Sequence, residues 1–282
     1  MSKSKKEKIF GFDQWGKKQN RSSIYFGCYN SCEYCGVRRT QCLWLKNRDF
    51  HKWHLMEFNK TNYKENIGKR DGLSICFTAH DIFPFNRKLC FNYLKRLIHP
   101  KKDVYNKVLL VSKARKSVFN KLVDEFKDYR DYLETRFTIT TMDHSLLKFW
   151  ESNAPNYPER KECLELCYEK GFKTSLSIEP LLDPYPFNSL FNMIDALSPF
   201  ISSTIWIGYM NRISSEEKLI ERNYTKKQRS FYENIRKDTK TWKLKEIIDQ
   251  LNSIQEIRYK DSFIRRKNLL KHIPSFQIAK NS

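Results

Sequence analysis

Short apolar runs and longer amphipathic ones alternate along this chain. Six runs read as strands: Ser23 to Phe26, Leu73 to Phe77, Val108 to Val111, Arg136 to Ile139, Thr174 to Ile178 and Thr204 to Ile207. Each is rich in β-branched or aromatic residues and is bounded by polar or turn residues, as a buried strand requires. Between them, apolar residues return at helical spacing. Cys90, Tyr93, Leu94 and Leu97 fall at i, i+3, i+4 and i+7, as do Phe187, Leu190, Phe191 and Ile194. Val118, Leu122, Phe126 and Tyr129 share one face, and Leu244, Ile247, Ile248 and Leu251 mark a late helix. The segment from Pro158 to Lys170 has proline near a first-turn position, carries Cys163, Leu166 and Cys167 on one face, and stops at Gly171.

Strands alternating with helices imply βα units and a parallel sheet, hence an α/β fold. Such folds bring their functional residues to the C-terminal ends of the strands. Cys28, His80-Asp81, Lys113, Thr140-Thr141, Glu179 and Asn211 then gather around one cavity. The pattern divides the chain into a basic N-terminal tail (1–20), a core (21–211) and a charged, mainly helical C-terminal extension (212–282) expected to pack on the core. The extension carries two basic knots, Lys226-Lys227-Gln228-Arg229 and Arg265-Arg266-Lys267, with Tyr224, Phe231, Tyr232 and Trp242 interleaved. Aromatic-plus-cation patterns bind single strands or flipped bases, although a solvated helix with a few buried aromatics is the commoner outcome.

Composition narrows the class. The chain has 282 residues, of which 40% are hydrophobic, so a sizeable core is affordable and disorder is excluded. No apolar run approaches the roughly 18 residues needed to cross a bilayer, and the N-terminus lacks the apolar stretch of a secretory signal. A soluble, cytoplasmic protein with no membrane partner is expected. Lys and Arg number 53 against 32 Asp and Glu, a net charge of +21. That field attracts anionic partners, nucleic acid first among them. A Lys-favouring genome would produce the same bias, and charge alone does not choose between the two.

The cysteines are distributed unevenly. Cys42, Cys76, Cys90, Cys163 and Cys167 are dispersed among periodic segments, and Cys90, Cys163 and Cys167 read as small core residues. Cys28, Cys32 and Cys35 are packed into Gly27-Cys28-Tyr29-Asn30-Ser31-Cys32-Glu33-Tyr34-Cys35, with spacing Cys-x3-Cys-x2-Cys. A cubane cluster held by three thiolates leaves one iron open, and an open position is what separates catalytic from closed metal sites. The competing reading is a zinc knuckle with Cys42, His51 or His54 as fourth ligand, in a zinc-stabilised nucleic-acid-binding protein without catalysis. Zinc sites usually pair Cys-x2-Cys with a second such pair, and nothing after Cys35 supplies one.

The cysteine motif resembles the signature of the radical S-adenosylmethionine (SAM) superfamily, Cys-x3-Cys-x-aromatic-Cys, with Tyr34 in the aromatic slot. The resemblance implies a partial (β/α)6 TIM-type barrel, a [4Fe–4S] cluster on Cys28, Cys32 and Cys35, and SAM bound at the open iron. It also implies a one-electron donor such as flavodoxin or ferredoxin, and a 5′-deoxyadenosyl radical that abstracts hydrogen from substrate. Phe77 to Ile82, Val108 to Lys113, Phe149 to Pro155, Ser175 to Asp183 and Ile205 to Asn211 are similar to the group related to spore photoproduct lyase. There the lysine closing the third strand contacts the SAM carboxylate, and Lys113 matches it. Polar groups ending the second and fourth strands approach SAM, which points to His80, Thr138 and Thr140. Tyr34 and Ser177 join them as candidate SAM contacts, while Ser177 and Glu179 have a second reading as shapers of their loop. One departure is evident. The lyase itself carries a hydrogen-donating cysteine where this chain has Thr78, and a hydroxyl is a much poorer hydrogen-atom donor than a thiol. Cys76 lies one alternation deeper on the same face. The expectation is therefore radical SAM chemistry on an unidentified substrate, with nucleic acid among the candidates, rather than the lyase reaction.

Overall fold

The computed structural model describes residues 20–45, 49–210, 213–238 and 240–264. The basic tail up to residue 19, the boundary expected at 211/212, Asn211, and the knot at 265–267 lie outside the described residues.

The chain enters through strand β1 (Asn20–Ser22), followed by a small antiparallel ribbon of β2 (Tyr25–Phe26) and β3 (Glu57–Phe58). It then lays down β4 (Ser74–Cys76), β5 (Val108–Ser112), β6 (Leu133–Thr138), β7 (Lys173–Ile178), β8 (Ile205–Ile207) and β9 (Ile257–Tyr259). β1 and β4 to β9 form one seven-stranded sheet in that spatial order, and each neighbouring pair is parallel. Arg21 on one edge strand and Ser262 just beyond the other line the same cavity, so the sheet curls around it as a partial barrel.

The helices are α1 (Gly36–Arg39), α2 (Lys60–Tyr63), α3 (Arg87–Ile98), α4 (Lys116–Glu125), α5 (His144–Trp150), α6 (Tyr157–Glu169), α7 (Asn188–Leu197), α8 (Glu216–Glu221), α9 (Lys226–Asp238), α10 (Thr241–Leu251) and α11 (Asp261–Ile264). The apolar stripes face inward: α3 buries Cys90, Tyr93, Leu94 and Leu97, and α10 buries Leu244, Ile247, Ile248 and Leu251. In α6 the Asn156 side chain accepts the Glu159 N–H at 3.0 Å, and the helix stops where Gly171 adopts φ +76°. Cys76, Cys90, Cys163 and Cys167 are fully buried in the main core. A smaller cluster joins Trp150, Leu182 and Met210 to Leu219, Tyr232 and Ile235 of α8 and α9. Among the described residues no helix is long and apolar enough to cross a membrane.

Two elements differ from the sequence pattern. The apolar run Ser23 to Phe26 is not a strand of the main sheet. The polar Asn20–Ser22 pairs with β4 instead, because a parallel edge strand is held by its backbone and needs no apolar side chains of its own. The sheet also has a seventh strand. Ile257 and Tyr259 point into the core while Arg258 points outward, and three residues in a charged stretch are too few for alternation to stand out.

Candidate active site

Gly27, with φ +91°, turns the chain out of β2 into the cysteine loop. The Cys28 N–H donates to the Trp53 carbonyl at 2.9 Å, and the Cys35 N–H donates to the Cys32 carbonyl at 3.1 Å. Cys35 Sγ accepts the Arg38 N–H at 3.4 Å at the start of α1. All three thiols are free and border one cavity of about 830 Å3 at the C-terminal ends of the sheet strands. Burial pushes the Cys28 thiol far up, reinforced by Asp81 and the other two thiols. Burial likewise pushes Cys32 up to about 12, against the pull of Lys113. Thiolates crowded in this way repel one another unless a cation stands between them, and the cationic core of an iron–sulfur cluster meets that need. Among the described residues no three His, Cys, Asp or Glu side chains converge as a single ion would require. Cys42 directs its thiol to the Asp49 carbonyl at 3.8 Å, and His54 Nδ1 lies 3.0 Å from the His51 carbonyl. Three thiols carried on one short loop are the donor type that an iron–sulfur cluster takes.

Two carboxylates hold the walls in register. Asp81, at the end of β4, accepts the Asn30 amide at 3.0 Å, the Ser112 hydroxyl at 2.6 Å and the Lys113 N–H at 2.9 Å. It thereby ties the cysteine loop to the ends of β4 and β5. Glu151, following α5, is fully buried and accepts from the Tyr34 hydroxyl, from Thr140 Oγ1 at 2.8 Å and from Arg160 Nη2 at 2.5 Å. Lys113 Nζ sits 3.9 Å from the same carboxylate and 5.4 Å from the centre of the Tyr34 ring. Burial opposes the charge on Glu151, but Arg160 and Lys113 hold its carboxyl below the usual range. Burial would likewise lower Lys113, yet Cys32 and Glu151 raise it, so its ammonium stays charged.

On the opposite side, Lys260 from the β9–α11 turn reaches across β8. Its Nζ donates to Ser177 Oγ at 2.9 Å and Glu179 Oε2 at 2.5 Å, and Ser262 Oγ lies 3.2 Å from Glu179 Oε1. A Cβ on Gly208 would stand 2.9 Å from both Glu179 Oε1 and Ser262 Oγ, so only glycine admits this close approach.

Tyr34, His80, Lys113, Thr138 and Thr78 border the cavity together with the three cysteines. Thr140 and Ser177 are not among the lining residues, since their hydroxyls serve Glu151 and Lys260. His80 has both ring nitrogens engaged: Nε2 accepts the Ile24 N–H at 3.2 Å, and Nδ1 faces the Asp81 carbonyl at 3.0 Å. It stacks on Phe77, and burial lowers its pKa to about 4. It therefore braces the loop as a neutral imidazole. Cys76 does not reach the cavity. Sequence reasoning missed Glu151, Arg160 and Lys260. Their side chains meet partners 9 to 117 residues away along the chain, and a local pattern carries no trace of such pairings.

No sequence-family model matches the chain, and no curated protein matches it. Solved structures do. A spore photoproduct lyase variant matches with a TM-score of 0.51 at 14% identity, covering 72% of this chain and 61% of that one. The lyase complexed with dinucleoside spore photoproduct matches with a TM-score of 0.51 at 15% identity over the same shares. A variant with bound AdoMet and the dinucleoside matches at 0.50 and 15%, over 76% of this chain and 60% of that one. The chain thus spans about three fifths of these neighbours and shares their fold.

Proposed function

We propose that this protein is a radical SAM enzyme. One observation carries the reading: three free cysteine thiols on one loop open onto a large cavity at the C-terminal ends of a parallel sheet, with the Lys113 ammonium beside them. Cys28, Cys32 and Cys35 would hold a [4Fe–4S] cluster, and Lys113 and Thr138 would hold SAM. The bound pair supplies reductive cleavage of SAM and a 5′-deoxyadenosyl radical that takes hydrogen from substrate.

The protein's own residues bind, orient and shield. Lys113 offers a fixed cation for the SAM carboxylate, kept charged by Glu151 and Cys32. Tyr34, pinned through its hydroxyl to Glu151, fixes the loop between the second and third thiols. Asp81 locks Asn30 to the β5 end, so the distance between loop and lysine is set before any ligand arrives, which is the preorganisation such sites depend on. Phe77, Tyr209, Met210 and Trp53 supply the apolar part of the wall that excludes water.

Thr78 borders the cavity and its hydroxyl lies 3.3 Å from that of Ser23. With no thiol at this position, the reading is hydrogen abstraction from a substrate other than the lyase's own. Nucleic acid stays a candidate on the strength of the +21 charge.

Anaerobic reconstitution with iron and sulfide tests the assignment. The expected product is a brown protein that forms 5′-deoxyadenosine from SAM and dithionite, with cluster and product both lost in Cys32→Ala. Stoichiometric zinc with no such product would refute the reading.

A further inference from the structure

The cysteine loop is a partition with two faces. Cys32, Tyr34 and Cys35 border the large cavity, whereas Glu33 and Arg38 border a separate cleft of about 500 Å3 with no lining residue in common. Phe50, Phe149 and Tyr224 form an aromatic floor there. The Glu33 charge is spent inward, accepting the hydroxyls of Tyr224 and of Tyr232, the latter at 2.8 Å, with Arg38 at 3.9 Å. The rim is basic. Lys148 is exposed, Arg222 lies over the Phe50 ring at 5.6 Å, and exposed Lys226 and Lys227 open α9 just past the cleft residue Tyr224. Of the nearby acids on α8, Glu216 is paired with Arg229, leaving Glu217 and Glu221 against these cations. Leu45 and Ile220, two residues along the chain from lining residues, are each more than half exposed.

Resting on the radical SAM reading, we propose that this cleft is the docking face of an acidic one-electron carrier protein. When SAM and substrate fill the large cavity, an electron must reach the loop from elsewhere. Here Glu33 and Arg38 of the cysteine loop border a basic surface with apolar spots on the side away from the large cavity, and such a surface is the complement of an acidic carrier with an exposed redox group. The exchange balances simply. The carrier is oxidised by one electron, the cluster is reduced by one, and no bond or proton changes hands at the interface.

The test uses reduced flavodoxin as the probe, with wild type and the Lys148→Glu, Arg222→Glu double variant. Labelled flavodoxin should bind the wild type with an affinity that falls as salt rises, and at least tenfold more weakly to the variant, even on protein without the cluster. Flavodoxin-driven 5′-deoxyadenosine formation should fall in step while the dithionite-driven rate stays unchanged. Carbodiimide cross-linking of the wild type should join Lys148 to a flavodoxin carboxylate. Equal binding and equal flavodoxin-driven turnover in the variant would overturn the proposal, as would cross-links confined to another face. Protection of Lys148 from acetylation by single-stranded RNA but not by flavodoxin would overturn it in favour of a nucleic-acid surface. A wild type inactive with dithionite would instead refute the enzymatic reading itself.

Discussion

Glu151 shows how one side chain can organise a site without facing substrate. Its carboxylate holds Tyr34, Thr140 and Arg160 and lies beside Lys113. Glu151→Gln keeps the shape and removes the charge, leaving Arg160 buried without its anion. Breaking a buried pair from one side costs roughly 3–5 kcal/mol, to be read from urea denaturation at pH 7. The folded-state pKa of Glu151 is depressed, so its stabilisation is present above the unfolded value of about 4.3 and is lost as pH falls through the folded value. The difference between wild type and Glu151→Gln should therefore shrink towards acid. A gap that is independent of pH would show that the charge is not the cause. His80 works in a higher window. Its pKa is lowered from 6.5 to about 4, so the unfolded chain takes up the proton first and stability falls between those two pH values. The group contributes on the order of 3 kcal/mol above pH 6.5. In an NMR titration its ring signals should stay at their neutral positions down to about pH 5, and a midpoint near 6.5 would contradict the buried assignment. The imidazole was visible in the sequence as a candidate ligand. That its nitrogens belong to Ile24 and Asp81 was not, because the Ile24 partner lies 56 residues away.

At the scale of elements, periodicity found what packs and missed what merely pairs. The stripes of α3 and α10 and the apolar runs of β5 and β7 are legible because burial selects side chains. β1 is held to the sheet edge by backbone hydrogen bonds, which any sequence can supply, and β9 buries only Ile257 and Tyr259, too short a run for alternation to stand out, so both left little trace. The cysteine spacing was legible for a different reason: adjacent ligands on one short loop leave a local signature. β9 matters to the site through Lys260, which bridges to β7 over Gly208. Gly208→Ala should push Glu179 away from Ser262 and cost about 1–3 kcal/mol, as overpacking does in a closed wall. Thermal unfolding measures that cost. On the proposed radical SAM function, a raised KM for SAM with little change in kcat is expected, because the wall is displaced and the cysteine loop is not touched.

For the whole molecule, the charge that marks off the stretch after residue 212 lies on its solvent face, since composition records solvent faces faithfully. Its inner face is built into the core. Leu219, Tyr232 and Ile235 pack with Trp150 and Leu182, Tyr224 and Tyr232 clasp Glu33 inside the cysteine loop, and β9 completes the sheet on β8. An independent domain would have its own core and few contacts across a linker. Here the links run from the extension directly to the residue between Cys32 and Tyr34. The two parts should therefore unfold together. Near-ultraviolet circular dichroism, dominated by buried aromatics on both sides of residue 212, and far-ultraviolet circular dichroism should give coincident urea transitions. A chain ending at residue 212 would expose the β8 edge and the apolar faces of Trp150 and Leu182, and is expected to aggregate rather than fold. Two resolved transitions, or a soluble, folded 1–212 fragment, would show that the extension is an appendage and not a wall of the site.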